Sequence, residues 1–400
     1  MIKKDRLAQT FKDLVSIDSV SKNEEAVSCE IRKILESIGA ETMIDNAGEN
    51  TGSNTGNLIV RFGGNTLDKG AQTDSILFSA HMDTVEPGKG ITPVLKDGTF
   101  ISKGPTILGA DDKSAIAILL EAMRTIHENN LPHGPVEIVF TVCEEIGLLG
   151  SKNLDYSLIT AKYGYALDTE DTEGIVTRAP AANRIEFKIH GKEAHAGVEP
   201  EKGINAIVLA GKAVAGLDTG RIDHETTCNI GLIEGGMATN IVPGLVTIKG
   251  EVRSHNKEKL GKITNKIVSS FKEAVEKSGK DSPDGCIPYV DINIEKEFSL
   301  TNVPDNHPVV LLAQKAAENL GKKIVTRTTG GGSDANIFFE KGIMTGVLGT
   351  GMHDIHTVRE SIKLDDMVKT TRLLLEIIRL HSRGQGSGVG DQRAGQPLNR

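Results

Sequence analysis

The sequence predicts an α/β fold built on a central sheet, with a second α+β domain inserted into it. Apolar runs of strand character alternate with amphipathic helical segments over residues 1–179 and again over 295–382. Four strand-like segments end at or near a histidine or a carboxylate, namely His81, Asp111, the pair Glu144 and Glu145, and Asp168. Residues 180–294 instead read, in order, as β-α-β-β-α-β, a ferredoxin-like unit. An open α/β sheet gathers its strand ends at one edge, where ligands bind. The four chemically active strand ends are therefore expected to converge.

Taking the chain in order, Leu7, Phe11, Leu14 and Val15 fall at helical spacing, as do Val27, Ile31, Ile34, Leu35 and Ile38, the second helix stopping at Gly39. Residues 49–56, rich in Gly, Asn and Thr, read as a loop, and strands follow at 57–62 and 75–80. Asp111 and Asp112 precede an apolar helix over 115–126, with Asp112 or Ser114 expected to cap it. The apolar run 136–142 is a buried strand leading into Glu144 and Glu145, and 162–167 is another, leading into Asp168.

In the inserted domain, strands are expected at 184–190, 226–233, 245–253 and 289–294, with helices at 203–215 and 256–278. His195, Asn240 and Arg253 stand in its loops or at a strand end. The first domain resumes with a helix at 307–320, a strand at 323–326 and a glycine-rich turn, Gly330-Gly331-Gly332-Ser333-Asp334, that opens a helix. That turn lacks the Gly-Lys-Ser/Thr of a phosphate-binding loop. The last strand is expected at 343–348 and the last helix at 364–381, while residues 383–400 have the composition of a disordered tail.

The chain has 400 residues, 38% hydrophobic and 25% charged, with a net charge of -8. That length accommodates two domains, and the acidic balance gives no footprint for nucleic acid or an anionic membrane. No apolar run approaches the roughly 18 residues that span a bilayer. Cys29, Cys143, Cys228 and Cys286 show no paired spacing, which suits free thiols in a reducing cytoplasm.

Neighbouring side chains point in different directions, so Glu144 and Glu145 are expected to do different jobs, one binding a metal and the other moving a proton. His81 and Asp83 lie on one face of an extended chain, where Asp83 can fix the tautomer of a metal-ligating His81. Asp111 has two oxygens and can bridge two cations. His353 and His356 are both ligand candidates by spacing. This mixture of imidazole and carboxylate suits two divalent ions, zinc first.

These motifs, in this order over residues 1–382, resemble the dinuclear-zinc metallopeptidases that include tripeptidase T, carboxypeptidase G, aminoacylase-1 and succinyl-diaminopimelate desuccinylase. Leu-Gly-Ala-Asp-Asp-Lys at 108–113 and Gly-Ile-Thr-Pro-Val-Leu-Lys-Asp-Gly at 90–98 are most similar to the peptidase T-like members. The resemblance implies a zinc-peptidase-like catalytic domain with a central mixed sheet at 1–179 and 295–382, and a lid or dimerisation domain at 180–294. It also implies roles: His81 and Asp168 on one metal, Glu145 and His356 on the other, Asp111 bridging, Asp83 orienting His81, and Glu144 as general base. His356 is preferred to His353 because the family's final ligand stands about four residues before a glutamate, here Glu360. The Asp111–Asp112 peptide is expected to be cis. His195, Asn240 and Arg253 match substrate-binding positions of the lid, which would close over the substrate, and a homodimer through the lid is implied.

The activity so implied is an aminopeptidase cleaving the N-terminal bond of short peptides, with a hydroxide bridged by two zinc ions, cobalt and manganese being alternatives. An N-acyl amino acid deacylase or carboxypeptidase on the same scaffold is the second reading. A catalytically dead binding protein is the third, disfavoured by the presence of every ligand position and the base.

Overall fold

The structure is a computed structural model that describes residues 1–65, 74–278 and 285–383. The tail expected at 383–400 lies, apart from Arg383, outside the described residues. The chain forms two compact units: Met1–Thr177, Asn302–Thr328 and the described residues from Ser333 onward make the first, and Arg178–Thr301 with Thr329–Gly332 the second.

The first unit is built on a nine-stranded sheet. Its centre is parallel, with Ile76–His81 between Val136–Thr141 and Tyr163–Ala166, and Met344–Leu348 beside the latter. Leu58–Phe62 and Glu41–Ile44 add antiparallel strands at one side, and Gly174–Ala179 adds one at the other, so the sheet is mixed. Every residue of Ile76–His81 and of Val136–Thr141 is buried, as expected of strands covered on both faces. Side chains alternate accordingly. Ile76, Phe78, Ile138 and Phe140 join the larger core, under the helices Lys4–Val15, Ala110–Glu128 and Leu364–His381. Leu77, Val139 and Ile59 face the other way, towards Phe338 and Leu154.

Two short elements depart from the sequence expectation. Residues 47–51 of the loop region form a helical turn, because the Asp45 carboxylate accepts the amides of both Ala47 and Asn57. Pro93–Lys96 and Thr99–Ser102 form a hairpin that joins Ser361–Lys363 and Met352–His353 in a separate four-stranded sheet.

The second unit has the antiparallel order Gly220–Arg221, Thr226–Gly235, Leu245–Ser254, Ala181–His190 and Tyr289–Phe298. Leaving aside the two-residue Gly220–Arg221, this is the ferredoxin-like arrangement, with helices Ala206–Ala215 and Lys257–Glu276 packed on the sheet. Phe187 stacks on Phe271 in its core, ring centroids 3.9 Å apart. The Asn256 side chain caps the longer helix, accepting the amides of Glu258 and Lys259. The unit is wider than the expected 180–294, because Tyr289–Phe298 pairs along its full length with Ala181–His190. Thr329–Gly332, expected in the catalytic domain, also belongs here. The Thr329 amide donates to Arg178 O at 2.9 Å, and the Arg253 guanidinium donates to Gly330 O at 3.2 Å.

Candidate metal centre

The parallel strands at the middle of the first unit end at one edge, and their carboxyl ends supply the site. His81 closes its strand fully buried. Its Nδ1 lies 2.9 Å from the main-chain oxygen of Asp83 and 3.5 Å from Asp83 Oδ1. An Nδ1–H donated to the Asp83 carbonyl leaves the Nε2 lone pair available to a metal ion. That Nε2 is 3.0 Å from Asp111 Oδ1. The Asp83 carboxylate has a second occupation that the sequence did not suggest. It accepts the amide of Glu144 at 2.9 Å, the amide of Glu145 at 3.2 Å and the Ser21 hydroxyl at 2.6 Å.

Asp111 stands at the start of the helix Ala110–Glu128, where it and Asp112 keep non-helical backbone and are joined by a cis peptide. Neither Asp112 nor Ser114 caps this helix, contrary to the sequence expectation. The N-cap is Gly109, in the left-handed region at φ 73°. The backbone leading into the helix is held from a distance by the buried Glu360. Its Oε2 accepts Leu108 N and Gly109 N at 2.8 Å each, and its Oε1 accepts Asp111 N at 2.9 Å.

Glu144 and Glu145 follow Cys143, whose φ of 52° turns the chain sharply off the strand. The buried Glu24 accepts the Cys143 amide at 3.0 Å. Thr141 and Ser151, on either side of the glutamate pair, both donate their hydroxyls to the buried Asp334. Sequence reading missed Glu24, Asp334 and the clamping role of Glu360. Asp334 follows a glycine-rich turn, whereas Glu24 and Glu360 stand in ordinary polar stretches that carry no local signal of a buried role.

His356, also at positive φ (61°), comes from the loop before Ser361–Lys363. Its Nε2 is 3.0 Å from Glu145 Oε1 and 3.2 Å from Asp111 Oδ2. His353 is exposed on the Met352–His353 strand and makes no such approach. Asp168, just past Tyr163–Ala166, is close enough for its charge to interact with those of Asp111, His81 and Glu145. Ligand atoms of His81, Asp111 and Glu145 all lie within 4.8 Å of one another. Donors of a tetrahedral zinc site, with bonds of about 2.0 Å, stand about 3.3 Å apart, so the spacings of 3.0–3.2 Å fit such ligation.

Electrostatics fit as well. Burial pushes the carboxyls of Glu144 and Asp168 well up, and that of Glu145 up. Burial alone would also raise Asp111, but hydrogen bonding by His356 and His81 outweighs it and holds the group below the usual carboxylate range. Burial opposes the charged form of His81, yet Asp111 and Asp83 raise it well above its ordinary value. Asp111 and then Glu145 push His356 up to about 10. Burial thus disfavours the ionised form of three of the four carboxyls, and two divalent cations would supply the positive charge that their ionisation needs.

The remaining candidates lie in the second unit. Ala194–His195 pairs with Ile241–Val242, and Ala196 donates its amide to Asn240 O at 2.9 Å, so His195 and Asn240 come together. Arg253 is at the far end of the strand Leu245–Ser254, about 25 Å from Leu245. There its guanidinium packs 5.8 Å from the centre of the Phe298 ring and donates to Glu251 at 2.9 Å.

Comparison with known proteins agrees with this picture. Residues 77–380 match the family described as Peptidase family M20/M25/M40. The chain is 42% identical over 379 residues to the Bacillus subtilis (strain 168) protein YqjE, covering 94% of this chain and 99% of that one. The solved aminopeptidase PepT of Bacillus cereus ATCC 10987 has 41% identity and a TM-score of 0.83, covering 95% of this chain and 99% of its own. A solved tripeptidase of Staphylococcus aureus subsp. aureus Mu50 has 35% identity and a TM-score of 0.88, covering 96% and 100%.

Proposed function

Because this chain belongs to peptidase family M20/M25/M40 and is a hydrolase acting on peptides, we propose that it is a metal-dependent aminopeptidase removing the N-terminal residue of short peptides, tripeptides above all. Its likeness to the Bacillus cereus PepT and the Staphylococcus aureus tripeptidase supports that substrate class. The observation that carries the metal-dependent reading is the placement of Asp111, with one carboxylate oxygen towards His81 and the other towards His356. A carboxylate so placed is suited to join two cation sites. We assign His81 and Asp168 to one ion, Glu145 and His356 to the other, and Asp111 to both. Bound there, two divalent ions, zinc first and cobalt or manganese as alternatives, would polarise the scissile carbonyl and acidify the attacking water.

Glu144 serves as the general base, taking the proton of the attacking water and passing it to the leaving amine nitrogen. Burial raises its proton affinity, which favours its taking the proton from water. Asp83 holds the amides of Glu144 and Glu145, so base and ligand keep a fixed relation. His195 stabilises the developing oxyanion, while Asn240 and the planar fork of Arg253 bind the peptide backbone and its terminal carboxylate. A tripeptide extends only about 10 Å, so it cannot touch both ends of the second unit's sheet in one copy. We therefore place the enzyme in a homodimer in which each copy lends His195 and Asn240 to the site of the other.

The test is turnover of an unblocked tripeptide, a dipeptide and an N-acetylated amino acid, each with zinc, cobalt or manganese and with a chelator. Tripeptide cleavage that needs a free N-terminus and stops with chelator is expected. Cleavage of the acylated substrate alone would replace the aminopeptidase reading with that of a deacylase.

A further inference from the structure

Glu360 does something for the site that its place in the sequence does not reveal. It is buried, 2% exposed, and both of its oxygens are spent on the backbone that carries Asp111. Three amides converge on one carboxylate at 2.8, 2.8 and 2.9 Å, from a segment some 250 positions away in the chain. Bonds of this charge-assisted kind are short and directional, so they fix the backbone that bears them. The left-handed Gly109 and the non-helical Asp111 lie inside this clamp, where regular helix geometry would not hold them.

The other end of the clamp is equally fixed. Glu360 N donates to Thr357 O at 3.1 Å, closing the loop on which His356 stands. Ser361–Lys363 then pairs with Thr99–Ser102, and Leu364 N donates to Gly98 O at 3.0 Å, which anchors the loop to the hairpin. The fully buried Lys113 donates to Ile17 O at 2.6 Å; burial pushes it down to about 7, against the pull of Asp18 and Glu360 on its charged form. One side chain thereby ties the loop of His356 to the loop of Asp111, and the two ligand atoms meet at 3.2 Å.

We propose that Glu360 is a positioning residue that sets the bridging geometry of Asp111 relative to His356, so that the second cation depends on it although it touches neither ion. The inference rests on the two-cation reading given above. Glu360→Gln keeps the shape of the side chain but offers one acceptor oxygen where three amides need two. Its NH2 group faces an amide donor.

The experiment measures divalent manganese binding by equilibrium dialysis, together with the electron paramagnetic resonance spectrum and thermal melting, in wild type and Glu360→Gln. The variant is expected to keep one ion, to bind the second about 10–100-fold more weakly, and to replace the spin-coupled signal of the pair with that of isolated manganese. With substrate, kcat should fall and KM stay near wild type. Should Glu360→Gln fail to fold, Glu360→Asp retains the charge but retracts the carboxylate by one methylene, and the same loss of the second ion is expected. Wild-type affinity and spin coupling in the folded variant, with only the melting temperature lowered, would overturn the inference and leave Glu360 a structural cap. A wild-type protein that binds no divalent ion would instead overturn the two-cation reading itself.

Discussion

Glu144 and Glu145 are adjacent, yet Glu145 reaches His356 at 3.0 Å while Glu144 is left buried among like charges. Glu144→Gln should lower kcat by about 10²–10⁴-fold. Equilibrium dialysis should find cation binding unchanged, and a lost ion would make Glu144 a ligand instead of the base. The histidine gives a second prediction. With chelator present, His356 has a folded value of about 10 against 6.5 unfolded, raised by Asp111 and Glu145. A raised value means stability fully present below about pH 6.5 and lost as pH climbs through about 10. The raised carboxyls of Glu144 and Asp168 act in the same direction. Calorimetry of the chelated protein should show the melting temperature falling between pH 6.5 and 10, with a shallower slope in His356→Ala. Added zinc should stabilise more at the alkaline end, because ligand protons no longer compete with it. His81, Asp111, Glu145 and Asp168 were legible in the sequence because each sits at or just beyond a strand end or helix start. The clamps were not. Glu360, Asp334 and Glu24 bind partners between 119 and 252 positions away, and no local spacing encodes such a contact.

Among the elements, the chain between Val142 and Gly150 is the one most tightly specified. Asn57 grips both ends, its Oδ1 accepting Val142 N at 3.1 Å and its Nδ2 donating to Gly150 O at 2.9 Å. A Cβ at Gly150 would lie 2.1 Å from Val142 O and 2.6 Å from Asn57 Oδ1, so backbone would have to move. Gly150→Ala is expected to cost about 1–3 kcal/mol, seen as a lower urea midpoint, and to reduce kcat by displacing the glutamate pair. A variant with wild-type midpoint and kcat would mean that the turn accommodates the methyl group freely. The long helices and buried strands were readable because their apolar periodicity runs for several turns or fills a whole strand. The hairpin Pro93–Lys96 and Thr99–Ser102 escaped notice because its four-residue strands are half-exposed and alternate weakly. The helix start at Asp111 was misread for a different reason. Local side chains are usually the caps, and here a remote carboxylate instead holds the segment that leads into the helix.

At the scale of the whole molecule, the separation of His195 and Asn240 from Arg253 makes the proposed homodimer testable by mixing. Co-expressed His195→Ala and Arg253→Ala chains should form hybrids with one intact site of two, restoring about a quarter of wild-type activity when dimers assort at random. If both residues served the site of their own chain, the mixture would stay as inactive as its parents. The division into two units was visible as a change of pattern near residue 180, whereas the return of Thr329–Gly332 to the second unit is accompanied by one backbone and one side-chain hydrogen bond that composition does not signal. The order in which those units emerge during synthesis has a biological consequence. The second unit is nearly continuous, whereas the first needs Met344–Leu348, His356, Glu360 and Leu364–His381 to complete its sheet, site and core. A nascent chain therefore lacks the Glu360 hold on the Asp111 loop until the segment that carries Glu360 has been made. The proposed hydrolytic site is then assembled only when that segment joins the first unit.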